Sequence, residues 1–199
     1  IGWREFITDE RLRQVIALAL ENNRDLRVAM LNVDRARAQY RIQRADRVPA
    51  VGGSVSAERT GGDAPTSDNY TASVGLASFE LDLFGRVRNL SEAALQQYFA
   101  QDENRRAAQI ALIAEVSNAW MTLAADQSLL AITQATLATY QESLRLTERR
   151  HELGAVSGLE LAQARTLVET ARANAALYAG MVEQDRHALD LLAGSPVAA

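Results

Sequence analysis

The sequence predicts a mainly α protein: long antiparallel coiled-coil-like helices with one inserted β-hairpin. Three observations point there. From Arg86 to Leu153 the chain has neither proline nor glycine and is rich in Ala, Leu, Gln, Glu and Arg. One unbroken helix is the simplest reading, about 100 Å long at 1.5 Å per residue. Its apolar positions recur in heptads. One stretch, residues 49–84, leaves helical periodicity for a period of two. The chain therefore divides into N-terminal helices (1–48), a hairpin (49–84) and a long helical hairpin (85–199).

Residues 1–8 read as an irregular entry, with Trp3 and Phe6 packed against a neighbour. Thr8 or Asp9 can cap a helix whose apolar face is Leu12, Val15, Ile16, Ala19 and Leu20. Asn22-Asn23 reads as a break, because Asn tolerates the left-handed conformation. A second helix runs from about Asp25 to Asp46, with Leu26, Ala29, Met30, Val33, Ala36 and Tyr40 on one face. Its last turns carry Arg35, Arg37, Arg41, Arg44 and Arg47, which suits a helix C-terminus, and Pro49 stops it.

In the next stretch Val51, Gly53, Val55 and Ala57 alternate with Ser54, Ser56 and Glu58. After a polar loop over 60–69, Tyr70, Ala72, Val74 and Leu76 alternate with Thr71, Ser73, Gly75 and Ala77. This is a hairpin pattern. Alternation this weak favours an ordinary surface hairpin over strands of bilayer-crossing length, although each strand is about long enough for the latter. Gly85 permits a tight bend into the long helix.

Along that helix, Val116, Leu123, Leu130, Leu137 and Leu144 form one ladder. Ile132, Leu146 and Leu153 form another, with Ala125 and Thr139 at the intervening steps. Roughly 200° of helical rotation separates the two, so each flank needs its own neighbour, as in a stave of a helical wall. The helix stops at Leu153-Gly154-Ala155-Val156-Ser157-Gly158, where Gly154 suits a left-handed cap and Ser157 a new helix start. A return helix carries Leu161, Val168, Ala175, Val182 and Leu189, with Ala164, Ala171, Tyr178 and Leu192 beside them. A short turn makes the two helices antiparallel neighbours.

Composition narrows the function. Hydrophobic residues make up 48% of 199 but aromatics only 6%, with Ala prominent, which gives a thin core and favours extended packing. There is no cysteine, hence no disulfide or thiolate metal site. Every cation is arginine, the net charge is −4, and no basic block occurs, so nucleic-acid binding has no electrostatic support. No apolar run approaches the roughly 18 residues of a spanning helix. The chain opens without a signal peptide, which fits a cytosolic protein or a trimmed mature segment. His151 and His187 lie on different helices without a ligand partner one turn away. No nucleophile elbow, phosphate loop or HExxH motif is present. The expectation is a protein without catalytic residues, metal or cofactor.

Glu80-Leu81-Asp82-Leu83-Phe84-Gly85-Arg86 resembles the signature of TolC-type outer-membrane factors, the exit ducts of tripartite efflux pumps. Asn23 to Arg27, Ala36 to Tyr40 and Arg41 to Pro49 resemble the same family, most closely its lipoprotein branch serving RND multidrug pumps. The resemblance covers nearly the whole chain and implies the first of two repeats of a protomer. It implies a trimeric duct in the outer membrane and periplasm, working with a periplasmic adaptor protein and an inner-membrane RND pump. Each repeat would give two strands to a barrel. The lipidated N-terminal cysteine and the second repeat, where the family's gate lies, have no counterpart here, so the chain is expected to be a fragment, and one that can be soluble alone.

By that resemblance the tip, Leu153, Gly154, Ala155, Val156, Ser157, Gly158 and Leu159, meshes with the adaptor. Small residues there let another backbone approach, and the same glycines can simply cap two helices. Glu160 would belong to the polar links closing the duct, or is a first-turn acid favoured by the helix dipole. Arg41, Arg44 and Arg47 would lie near the membrane end, or form a solvated helix end. The rival function is a soluble coiled-coil interaction module.

Overall fold

The computed structural model describes residues 2–62, 67–76, 79 and 81–197. Its elements are α1 (Trp3–Phe6), α2 (Glu10–Asn22), α3 (Arg24–Ala45), β1 (Val51–Thr60), β2 (Ser67–Leu76), α4 (Arg86–Glu152) and α5 (Gly158–Ala193). They fall into two compact units, one of residues 1–27 with 107–199 and one of residues 28–106.

The first unit holds the main core. Leu12, Val15, Ile16 and Ala19 of α2 bury the stripe that the sequence predicts, against Leu112, Val116 and Leu123 of α4 and Val182 and Leu189 of α5. Asp9 is the cap: its Oδ1 accepts the Arg11 and Leu12 amides at 2.8 and 3.4 Å. The entry is not irregular throughout, since Trp3–Phe6 closes one helical turn. Trp3 and Ile7 pack on the core, but Phe6 is 81% exposed.

The break at Asn22-Asn23 arises differently from the expectation. Asn23 is extended, at φ −62° and ψ 128°, not left-handed. Its side chain makes the corner: Oδ1 accepts the Leu26 amide at 2.9 Å and Nδ2 donates to the Leu192 carbonyl at 2.9 Å. One buried amide therefore caps α3 and ties it to the end of α5. An Asn side chain can satisfy both a donor and an acceptor, which makes the extended form the better bonded one.

On α4 the first ladder weakens toward the tip. Val116 and Leu123 are buried, whereas Leu130, Leu137 and Leu144 are half-buried. The second ladder lies open, with Ile132, Leu146 and Leu153 all exposed. On α5 Val168, Val182 and Leu189 are buried and Leu161 and Ala175 half-buried. Glu148 and Arg165 pair across the two helices at 3.2 Å.

In the second unit, α3 buries Ala36 and half-buries Ala29, Val33 and Tyr40, while Met30 is exposed. The helix ends at Ala45, before Pro49, in a turn where the Val48 amide donates to the Ala45 carbonyl at 3.0 Å. β1 and β2 pair antiparallel from Val51↔Leu76 to Thr60↔Ser67. Thr60 and residues 67–69, expected in the loop, are thus ladder rungs, because cross-strand pairs such as Arg59–Asp68 (3.3 Å) extend it. Residues 63–66 of that loop, and Ala77 and Glu80, lie outside the described residues. Among the described residues no helix is long and apolar enough to cross a membrane.

Candidate functional site

The tip is built from backbone capping. The Ala155 amide reaches the Arg150 carbonyl at 2.8 Å and the Gly154 amide the His151 carbonyl at 2.9 Å, with Gly154 at φ 75°. These are the two bonds of a Schellman cap. Arg149, Arg150 and His151 fill the last turn, where cations suit the helix dipole. His151 Nδ1 donates to the Val156 carbonyl at 3.0 Å, which holds the turn closed. Ser157 caps α5, its Oγ accepting the Glu160 amide at 3.2 Å. Glu160 thereby stands exposed in the first turn of α5.

Leu153 is 81% and Leu159 69% exposed. A Cβ added at Gly154 or Gly158 would meet no atom within 4 Å. The tip is therefore a small-residue knuckle, flanked by two exposed leucines, with free space over both glycines.

The signature segment has its own chemistry. Asp82 Oδ2 accepts the Arg88 amide at 2.9 Å, and the amides of Val87, Arg86 and Gly85 also face this carboxylate. The Arg88 bond, foremost, lowers its pKa below the usual carboxylate range. Gly85 turns at φ 77°, and the Asn89 amide donates to its carbonyl at 2.9 Å. Asp82 and Gly85 thus start the 67-residue helix. Leu81, Leu83 and Phe84 stand exposed. Glu80 and Arg86 complete the segment, Glu80 being outside the described residues. Replacing Asp82 by Asn should loosen the first turn of α4. Because the folded carboxylate has the lower pKa, its stabilisation is present above the unfolded value and lost as the pH falls through the folded one. Hydrogen exchange at residues 86–90 should show acid-dependent fraying in the wild type, and fraying already at neutral pH in Asp82→Asn; equal protection in both would remove the cap.

The hairpin has two chemically distinct faces. Val51, Gly53, Val55 and Ala57 pair with Leu76, Val74, Ala72 and Tyr70. Directly paired residues share a face, so this side is apolar. The other side carries Ser54 and Ser56 opposite Ser73 and Thr71, with a hydroxyl contact of 2.8 Å between Ser54 and Ser73. Every described residue of both strands is exposed, including Val55 at 86% and Val74 at 83%. Arg41, Arg44 and Arg47, just before β1, are exposed as well.

Between α4 and α5, Thr133, Thr136, Tyr140, Leu167, Thr170 and Asn174 line a shallow groove of 220 Å³. Its threonine hydroxyls bond carbonyls of their own helices at 2.8–2.9 Å. Among the described residues no cluster of His, Asp and Glu is arranged to hold a metal ion. The capping role of Asp82 was not read from the sequence, although an acid just before a helix is a legible signal.

Residues 15–195 match the family model described as outer membrane efflux protein. The chain is 48% identical over 206 residues to the probable efflux pump outer membrane protein TtgC of Pseudomonas putida, an alignment covering 100% of this chain and 43% of that one. A crystal structure of a membrane protein from Pseudomonas aeruginosa superposes with a TM-score of 0.90 at 42% identity, covering 98% of this chain and 47% of the other. The open state of the Neisseria gonorrhoeae MtrE outer membrane channel superposes at 0.81 with 38% identity, covering 95% and 43%. The chain thus spans about half the length of the proteins it matches.

Proposed function

Because the chain belongs to the outer membrane efflux protein family, we propose that it is the first repeat of a channel subunit that exports drugs passively across the periplasm and outer membrane. The observation that carries this is the two-faced hairpin. A strand pair with one apolar and one polar face, both uncovered, is what a barrel wall between lipid and water requires. Each strand has 10 residues, within the roughly 9–11 that cross a bilayer when tilted. The open second flank of α4 is consistent with further staves beside it. Such a subunit works without catalysis. Its shape conducts, and an inner-membrane RND pump supplies energy. In this reading the full-length protein is a trimer.

The tip from Leu153 to Leu159 is, in the same reading, the surface that meets the periplasmic adaptor. What supports it is the combination of exposed leucines with open space over Gly154 and Gly158. Glu160 is assigned to the polar links of the closed end. Two substitutions in the full-length protein test the docking. Gly154→Val adds bulk but also strains a left-handed backbone. Gly158→Gln adds bulk without that strain, and spares the Ser157 cap. Both should cut adaptor crosslinking about tenfold, a docking loss near 1.4 kcal/mol, and raise drug susceptibility at equal expression. Normal crosslinking and resistance in Gly158→Gln would reduce the segment to a turn.

A further inference from the structure

The arginines of this chain are not used alike. Arg105, Arg145, Arg172 and Arg186 each hold a carboxylate three residues earlier on their own helix. Arg41, Arg44 and Arg47 hold none. All three are exposed, and among the described residues no carboxylate pairs with any of them. The excess is local. The chain has a net charge of −4, yet between Asp34 and Glu58 it carries Arg35, Arg37, Arg41, Arg44 and Arg47 against Asp46 alone. Asp46 and Asp82 line a groove with Arg47 and Arg88, but Asp82 is engaged by the Arg88 amide at 2.9 Å. The dipole of α3 accounts for Arg44, the cation of its last turn. It does not call for three.

The hairpin fixes where these charges stand. Its apolar face runs from the Val51↔Leu76 rung to the Ala57↔Tyr70 rung. That is roughly 20 Å at 3.3 Å per residue, close to the apolar band of a barrel wall. Past Tyr70 the rungs turn charged, at Glu58 and at the Arg59–Asp68 pair. At the other edge, Arg47 precedes Val51 by a stretch of chain that spans at most about 14 Å. The headgroup layer beside the hydrocarbon is roughly 5–7 Å deep, and a guanidinium on its long stem reaches into it. Arg44 and Arg41 follow on the last turns of α3. Val48, between the arginines and β1, is exposed, and so is Phe84, which precedes α4 and is 96% exposed. Apolar and cationic groups thus adjoin at the end of the hairpin where the helices begin.

We infer, resting on the reading of the hairpin as a barrel wall, that Arg41, Arg44 and Arg47 bind the headgroups of anionic phospholipids in the leaflet on the helical side of the membrane. Guanidinium forks match phosphate oxygens, and each such cation at an anionic surface is attracted to it. An acidic protein partner would satisfy the three charges but not the apolar face continuous with them through Val48 and Val51. A lipid satisfies both, with its headgroup on the arginines and its chains on the strands. A zwitterionic lipid carries the same phosphate beside an amine of its own, so the arginines discriminate by net charge.

The test reconstitutes the full-length protein in phosphatidylcholine vesicles with a trace of spin-labelled phosphatidylglycerol or spin-labelled phosphatidylcholine. The motionally restricted fraction of each label reports lipid held at the protein surface. The wild type should favour the anionic label about fivefold, the effect of one well-placed arginine, and the preference should shrink as salt shortens the Debye length. With Arg41→Gln, Arg44→Gln and Arg47→Gln combined, the two labels should be restricted equally. An unchanged phosphatidylcholine fraction in that variant would show that it is folded and embedded. Equal restriction of both labels by the embedded wild type would overturn the inference and leave the barrel reading standing. So would a full anionic preference that survives the triple substitution. Restriction of neither label would instead remove the barrel reading, and the lipid site with it.

Discussion

Gly194→Ala should destabilise the full-length protein by about 3 kcal/mol, seen as a lowered melting temperature. Gly194 closes α5 at φ 70°, with its amide on the Leu191 carbonyl at 3.3 Å. A Cβ there would stand 2.5 Å from the Asn22 carbonyl oxygen and 2.8 Å from its carbon. That obstacle is backbone, at the end of α2, next to the Asn23–Leu192 bond that holds this corner. Relief would separate α2 from α5 and open the core over Ala19 and Ala193, both fully buried. Gly154→Ala is the control. It has nearly the same backbone angle, φ 75°, and nothing within 4 Å, so it should cost only the left-handed strain of about 1 kcal/mol. Equal losses in the two variants would show that the approach to Asn22 is not the cause.

This corner also marks what sequence reasoning reaches. Periodicity finds the four longer helices, α2 to α5, to within about two residues, because heptad ladders and caps such as Asp9, Ser157 and Gly154 are local signals, whereas the single turn of α1 carries no such pattern. The strand pairing was legible for the same reason. Long-range bonds were not. That Asn23 would donate to Leu192, or that Gly194 would lie against Asn22, depends on where two distant helix ends meet. At the tip the turn itself was legible from Gly154 and Ser157. That the tip is a docking surface is not encoded in one chain's periodicity; that proposal rests on the family resemblance.

The depth of the seam is the second place where a large effect is expected. Leu189→Asp should cost about 4 kcal/mol or more, because it places an ion in a site with no solvent access. Leu189 is 0% exposed and packs in the cluster of Val116, Leu123, Val182 and Ile16. From the ladder alone, Leu137→Asp would be expected to do the same, since Leu137 is the heptad equivalent of Val116 and Leu123. The structure places Leu137 only half-buried, in the stretch toward the tip where α4 and α5 have no α2 beside them to close the core. An aspartate there keeps part of its hydration, and about 1 kcal/mol is expected. The two variants should thus differ by several degrees in melting temperature in a two-helix seam whose sequence pattern is uniform. If Leu137→Asp proves as damaging as Leu189→Asp in the assembled protein, another helix must cover Leu137 there; with that neighbour in place the burial would rise, and the excess loss would measure how much the added cover contributes to this seam.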